Sequence, residues 1–264
     1  MIPRPYRSYR YRKPRFYTPL NRRHPMAQGL VGCWLINEGS RNTLYDLSGH
    51  NNVGTLANMA DPPTATSGWG IGQFGSVLGF DGSNDYCSIP LLQNYPISIA
   101  MLFRPSSKAA SYGLISFGFD FGQDKGIYLQ LQHASPAPHL QLFIGNTILT
   151  IVSLFVYDVW QYLVLTIDTS GNYIVYLDAV PRGDGVETNA GLGVASFIGS
   201  ENASQNYSLI HLDHVYVYDR VLANQEVDTL YQHHYTMFEQ PWKRLYGGVE
   251  APAAAGKTPY VFII

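Results

Sequence analysis

From Gly29 onward the chain alternates short apolar runs with clusters of Gly, Pro, Asn, Asp and Ser. In "IYLQLQ" and "LQLF" apolar and polar residues alternate strictly, the period-2 pattern of antiparallel strands with one wet face. "GLVGCWLINEGS", "ISIAMLFRP", "YGLISFGFDF", "KGIYLQLQH", "HLQLFIGN", "VASFIGSEN" and "IHLDHVYVYDRVL" add further strands. Two hairpins are expected: one in "WQYLVLTIDTSGNYIVYLDAV", around Gly-Asn, and one in "SVLGFDGSNDYCSIP", where Val77, Leu78 and Phe80 precede an Asp-Gly turn and Tyr86, Cys87 and Ile89 follow it. The one helix is "ANQEVDTLYQHH", with Val227 and Leu230 toward the core and Gln225, Glu226 and Asp228 toward water. "ILTIVSLFV", Ile148 to Val156, is about half the length of a membrane-spanning helix and reads as a buried strand. With no internal repeat, propellers and solenoids drop out.

Composition agrees with an all-β body. The 264 residues are 46% hydrophobic and 14% charged, with 20 Tyr and 12 Phe, which suits one sandwich core plus tails. Cys33 and Cys87 both sit in strand-like sequence and read as buried free thiols rather than as a bridge or a zinc site. Charge is unevenly placed. The first 25 residues carry Arg4, Arg7, Arg10, Arg12, Lys13, Arg15, Arg22 and Arg23 without an acid, so this arm is +8 and the remainder −10. The arm lacks the apolar run of a secretory signal. Pro3, Pro5, Pro14, Pro19 and Pro25 exclude a continuous amphipathic helix on a membrane. Arginines interleaved with Tyr6, Tyr9, Tyr11, Phe16 and Tyr17 could hold single-stranded nucleic acid. Docking against the acidic body of a neighbouring subunit ranks above that, with the seven arginines as contacts. At the other end "YVFII", Tyr260 to Ile264, is the kind of strip that adds a strand to another chain's sheet.

In order along the chain, "GLVGCWLINEGSRNTLYDLSGHNNVGTL", "WGIGQFGSVLGFDGSNDYCSIP", "ISIAMLFRP", "WQYLVLTIDTSGNYIVYLDAV" and "LDHVYVYDRVLANQEVDTLY" resemble the landmarks of laminin-G-like domains of the concanavalin A-like lectin and glucanase superfamily. The resemblance implies an all-β, two-sheet antiparallel jelly roll over residues 29–231, flanked by an arm at 1–28 and a tail at 232–264. It implies Trp34, Phe80, Trp160, Val164, Tyr176 and Tyr216 as core. Members of the superfamily bind glycans or proteins, and some hydrolyse polysaccharides. A jelly roll with a basic arm and an apolar tail also resembles virion proteins of tailed bacteriophages.

The candidate chemistry narrows this. Glycosidases of this fold place paired acids along one strand, as Glu-x-Asp-x-x-Glu, and no such run occurs. There is no Gly-x-Ser-x-Gly elbow. His211 and His214, three apart on a strand, are expected on opposite faces. Cofactors are none, with calcium left open at the turns holding Asp46, Asp81, Asn84 and Asp85. Trp69, Tyr112 and Tyr207 are candidate sugar-stacking residues by position in loops. The expectation is therefore a non-enzymatic virion protein, assembled in the host cytoplasm, whose jelly roll decorates the particle or a fibre and binds host glycans. Its partners would be other virion proteins through both termini and further copies of itself in a homo-oligomer, with no membrane. The alternatives are a freestanding carbohydrate-binding lectin, calcium-dependent or not, and a polysaccharide hydrolase.

Overall fold

The structure, a computed structural model, describes residues 12–238 apart from 17, 91–94, 108–110, 121, 122, 124, 133–137, 146, 188–190, 192 and 194. In chain order the strands are β1 (Leu30–Trp34), β2 (Thr43–Leu44), β3 (Gly54–Ala57), β4 (Gly68–Ile71), β5 (Ser76–Asp81), β6 (Tyr86–Ile89), β7 (Ile97–Pro105) and β8 (Tyr112–Asp120). They continue with β9 (Lys125–Gln132), β10 (His139–Ile144), β11 (Thr147–Leu154), β12 (Gln161–Ile167), β13 (Asn172–Leu177), β14 (Val180–Val186), β15 (Ser196–Ile198) and β16 (Leu209–Tyr218). The helix α1 (Asn224–Gln232) follows. One eight-stranded sheet runs β14-β13-β12-β7-β16-β5-β4, with β1 beside β16; the other runs β11-β10-β9-β8-β15-β6-β3-β2. Every pairing is antiparallel, and the inner faces meet around Trp34, Phe80, Phe103, Leu129 and Leu165. This is the jelly-roll sandwich expected from the sequence.

The "DTSGN" hairpin forms as expected between β12 and β13. Asp168 Oδ1 accepts from Ser170 N at 2.8 Å and Asn172 N at 2.9 Å, closing the turn on its own backbone. Gly171 is required there: its φ is +84° and a Cβ would fall 1.7 Å from the Glu187 carbonyl oxygen. The second expected hairpin is not one. β5 pairs with β4 and β16 in one sheet, whereas β6 pairs with β3 and β15 in the other, so the Asp-Gly turn carries the chain around the sandwich edge. The buried Asp85 fixes this corner by accepting from Asp81 N at 3.0 Å. β11, expected to be buried, is the edge strand of its sheet, and Ile148 is 52% exposed. Of the six expected core residues only Trp160 is half-buried.

The two outer faces differ. A second apolar cluster covers much of the β16-containing sheet: Tyr162, Val164, Tyr216 and Tyr218 lie beneath Val227 and Leu230 of α1, Met26 of the 3₁₀ turn Pro25–Ala27, and Tyr235, Met237 and Phe238. Residues 12–28, assigned to a separate arm by sequence, are part of this cover. Lys13 is buried, Asn21 N donates to Met237 O at 2.9 Å, and Leu20 bridges Phe238. Arg12, Arg15, Arg22 and Arg23 are exposed, with Arg22 Nη1 donating to Ser48 O at 2.9 Å. Arg4, Arg7 and Arg10, and the tail strip Tyr260 to Ile264, lie outside the described residues.

Candidate functional site

The β16 strand decides what faces outward on the covered sheet. Leu212 pairs with Phe103 and His214 with Leu102, so Asp213 is an extra residue in a β-bulge. The bulge shifts the side-chain alternation by one. His211 opposite Arg104 and His214 opposite Leu102 therefore share the outer face, correcting the expectation that a spacing of three separates them. His214, Asp213 and Tyr235 form a buried network: His214 Nδ1 lies 2.8 Å from Asp213 Oδ1, and the Tyr235 hydroxyl donates to the same oxygen. Lys13 Nζ is 3.1 Å from Asp213 Oδ2 and donates to the carbonyls of Asp213 and Ser76. Burial alone would raise the Asp213 carboxyl, but Lys13 and the bonds from His214 and Tyr235 outweigh it and hold it below the ordinary carboxylate range. With every side chain shut from solvent, this Asp-His-Tyr group is a packing device that ties residue 13, β16 and the segment after α1 together.

The outer face of the other sheet has a different character. Register places Thr55, Ser88, Phe197, Ser116, Tyr128, Phe143 and Ile148 opposite one another in turn on this face across seven strands. In the middle of the row Ser116 and Tyr128 are buried, Ser116 Oγ donating to Glu201 O at 2.8 Å, while Phe197 and Phe143 on either side are half-buried. At one end Phe119, Tyr128 and Phe143 form an aromatic cluster with ring centroids 5.0 to 5.8 Å apart. At the other, Tyr86 sits edge-on to Phe197 at 5.8 Å and 6.3 Å from Tyr207. Beside the row, Gln132 Nε2 donates to Gln141 Oε1 at 3.2 Å. The turn following β15 lies on β8, where a Cβ on Gly113 would meet Glu201 N and the Tyr128 ring, each at 2.7 Å. Glu201 accepts there from Gln205 and Asn206 at 2.6 Å and from Asn202 at 3.5 Å. Burial, with the Glu201 charge beside it, raises the Tyr128 phenol far above its usual value, so it stays neutral.

Half-buried aromatic faces flanked by carboxamides suit a ligand with apolar C–H faces and many hydroxyls. Of the three aromatics singled out by sequence, only Tyr207 lies here. Tyr112 is in the core with its hydroxyl donating to Ser106 O at 2.9 Å, and Trp69 is on β4 with Nε1 donating to Arg41 O at 2.9 Å. Phe143, Gln130, Gln132 and Gln141 were overlooked, although the polar half of the "IYLQLQ" alternation marks an outer face. At the acidic turns, Asp46 accepts from the backbone N–H of Cys33, Ser48 and Asn52, and Asp81 from that of Ser83. Among the described residues no group of three or more His, Cys, Asp or Glu is placed to hold a metal ion. Cys33 and Cys87 are free and buried, and burial pushes both thiols up.

The family model Laminin_G_3, described as the concanavalin A-like lectin/glucanases superfamily, matches residues 81–228. Domain 4 of AbnA, a GH43 extracellular arabinanase from Geobacillus stearothermophilus solved with arabinotriose, is 17% identical with a TM-score of 0.59, over 76% of this chain and 97% of that one. The Trypanosoma rangeli sialidase in complex with sialic acid is 16% identical with a TM-score of 0.58, over 77% of this chain and 33% of the sialidase. The botulinum neurotoxin serotype D binding domain is 13% identical with a TM-score of 0.58, over 79% and 53%. At these identities the likeness is one of fold. No curated protein matches the sequence.

Proposed function

The chain belongs to the concanavalin A-like lectin/glucanase superfamily, and from that premise we propose that it is a non-enzymatic glycan-binding module, carried on a bacteriophage virion and fastened there by its terminal segments. The observation that carries the glycan reading is the set of half-buried aromatic rings on this face, Tyr86, Phe197 and Tyr207 at one end and Phe119 and Phe143 at the other, with Gln132, Gln141 and the Glu201 amide cluster beside them. Structural neighbours solved with arabinotriose and with sialic acid agree with it at the level of fold. The non-enzymatic part rests on the use made of the acids: Glu201 is held by three amides, and Asp46, Asp81 and Asp168 close turns. The virion part rests on the basic aromatic arm and the apolar tail, whose resemblance is to tailed-phage proteins.

A glycan array probed with the full chain tests the site. The wild type should bind a defined glycan set, and Phe143→Ala or Gln141→Ala should weaken binding about tenfold while leaving the melting temperature near wild type. Binding that neither substitution alters would sink the placement, and product release from a polysaccharide panel would sink the non-enzymatic reading. Detection of the chain in purified particles checks the virion assignment.

A further inference from the structure

On the covered sheet, the second apolar cluster stops short of one end. There Thr64, Ala65, Gly68, Gly72, Arg104, Trp160 and His211 line an open cleft of about 570 Å³. Arg104 is the fourth outward residue of β7, after Ser98, Ala100 and Leu102, so register alone aims it into this cleft beside His211. Its guanidinium lies over the Trp160 ring, 5.8 Å from the centroid. Arg104 Nη2 is 3.3 Å from His211 Nδ1, and His211 Nε2 is 3.2 Å from the Ala65 carbonyl. A carbonyl only accepts, so Nε2 carries the proton and Nδ1 accepts from Arg104. Burial and then the Arg104 charge both lower the His211 pKa, so the imidazole is a neutral brace for the guanidinium. Asp158 opposes that shift weakly without pairing with Arg104.

What is left is an oriented, partly desolvated cation that has no counter-ion among the described residues. Among the described residues no carboxylate is within ion-pair distance of Arg104, and its Nε is buried with no hydrogen-bond partner. Leaving such a donor unsatisfied is costly unless something else fills the position. Among the described residues the cleft holds no second cation, which favours a monoanion over a phosphate dianion. The guanidinium fork matches a carboxylate in two parallel hydrogen bonds. Glycines at 68, 70, 72 and 79 leave the floor open to a flat ring, and Trp160 forms one wall. We propose that this cleft is a second binding site, on the sheet opposite the aromatic row, that takes the carboxylate-bearing residue of an acidic saccharide, a uronate or a nonulosonate. Arg104 anchors the carboxylate, Trp160 contacts the ring, and His211 acts as a positioning residue for Arg104.

The test is NMR titration of the full chain with D-glucuronate, N-acetylneuraminate, D-glucose and inorganic phosphate, following the Arg104 Nε–H and the indole N–H of Trp160. Saturable shifts of both signals with at least one acidic sugar, and none with glucose, are expected. Arg104→Gln should abolish the response and Arg104→Lys weaken it about tenfold, because lysine keeps the charge and loses the fork. His211→Gln should weaken it while broadening the Arg104 Nε–H signal in the free protein, a change that loss of a ligand contact alone would not give. No saturable response to either acidic sugar, tighter binding of phosphate, or an unchanged response in Arg104→Gln would each overturn the proposal. Ligands of the aromatic row should bind Arg104→Gln unchanged, so the two sites fail separately.

Discussion

Asp213 occupies the extra position of the β16 bulge with no solvent access, so its charge must be matched from within the protein. Lys13 supplies the opposite charge from 200 residues away in sequence, and His214 and Tyr235 supply hydrogen bonds. The neighbouring His234 stacks on Tyr162 at 5.1 Å and donates Nδ1–H to Leu230 O at 2.8 Å. Burial first, and the adjacent His214 second, push its pKa down to about 4. An unfolded histidine titrates near 6.5, so between roughly 6.5 and 4 the unfolded chain binds the proton that the folded one refuses. Stability is therefore lost as pH falls through that window. Asp213, held below its ordinary range, adds a further loss at lower pH. Urea unfolding at pH 7.5, 5.5 and 4.5 should show falling stability, and His234→Asn, which keeps the Leu230 hydrogen bond, should make the slope shallower. An identical slope in the variant would assign the acid sensitivity elsewhere. None of this was legible in the sequence, because a lone lysine among seven arginines carries no mark of burial.

At the scale of elements, α1 is short and depends on its packing. Glu226 Oε2 accepts from Ala223 N at 2.9 Å, and its carboxylate takes both Arg220 Nη atoms at 2.7 and 2.8 Å, which fixes the start of the helix. Val227 and Leu230 then close the second apolar cluster over Tyr162 and Tyr216. Leu230→Ala should cost about 2 to 5 kcal/mol in chemical denaturation, with the helix start intact. Period and turn residues sufficed to find this helix, the β12–β13 hairpin and the alternating β9 and β10. They did not suffice at two places. A bulge inserts a residue without altering local composition, so the shared face of His211 and His214 was hidden. An Asp-Gly turn signals a reversal but not which sheet the chain enters next, so the corner between β5 and β6 read as a hairpin. Arg104 did leave a signal, a single charge closing an otherwise apolar strand, but its meaning depended on what lay across the sheet.

For the whole molecule, the boundary between body and arm falls earlier than composition implied. Removing residues 1–25 strips Lys13 from a buried carboxylate and should lower the melting temperature by roughly 10 °C relative to removing 1–11 alone. Equal melting of the two truncations would refute the role of residues 12–25 in the fold. Incorporation into particles, compared between the wild type and the shorter truncation, then tests attachment without the confusion of a damaged body. The sandwich itself was legible because the same alternation recurs from strand to strand. The distinction between its outer faces was not, since it depends on which side the segments at 12–28 and 219–238 fold over. Those segments meet through the Leu20–Phe238 bridge on one sheet, while the aromatic row lies on the other. Copies gripped by the bridged side would turn the row toward the surroundings like type on a printing drum. Each copy could then bind at millimolar strength, and a surface carrying many would still hold its target by avidity, up to roughly 10² to 10⁴ beyond one site.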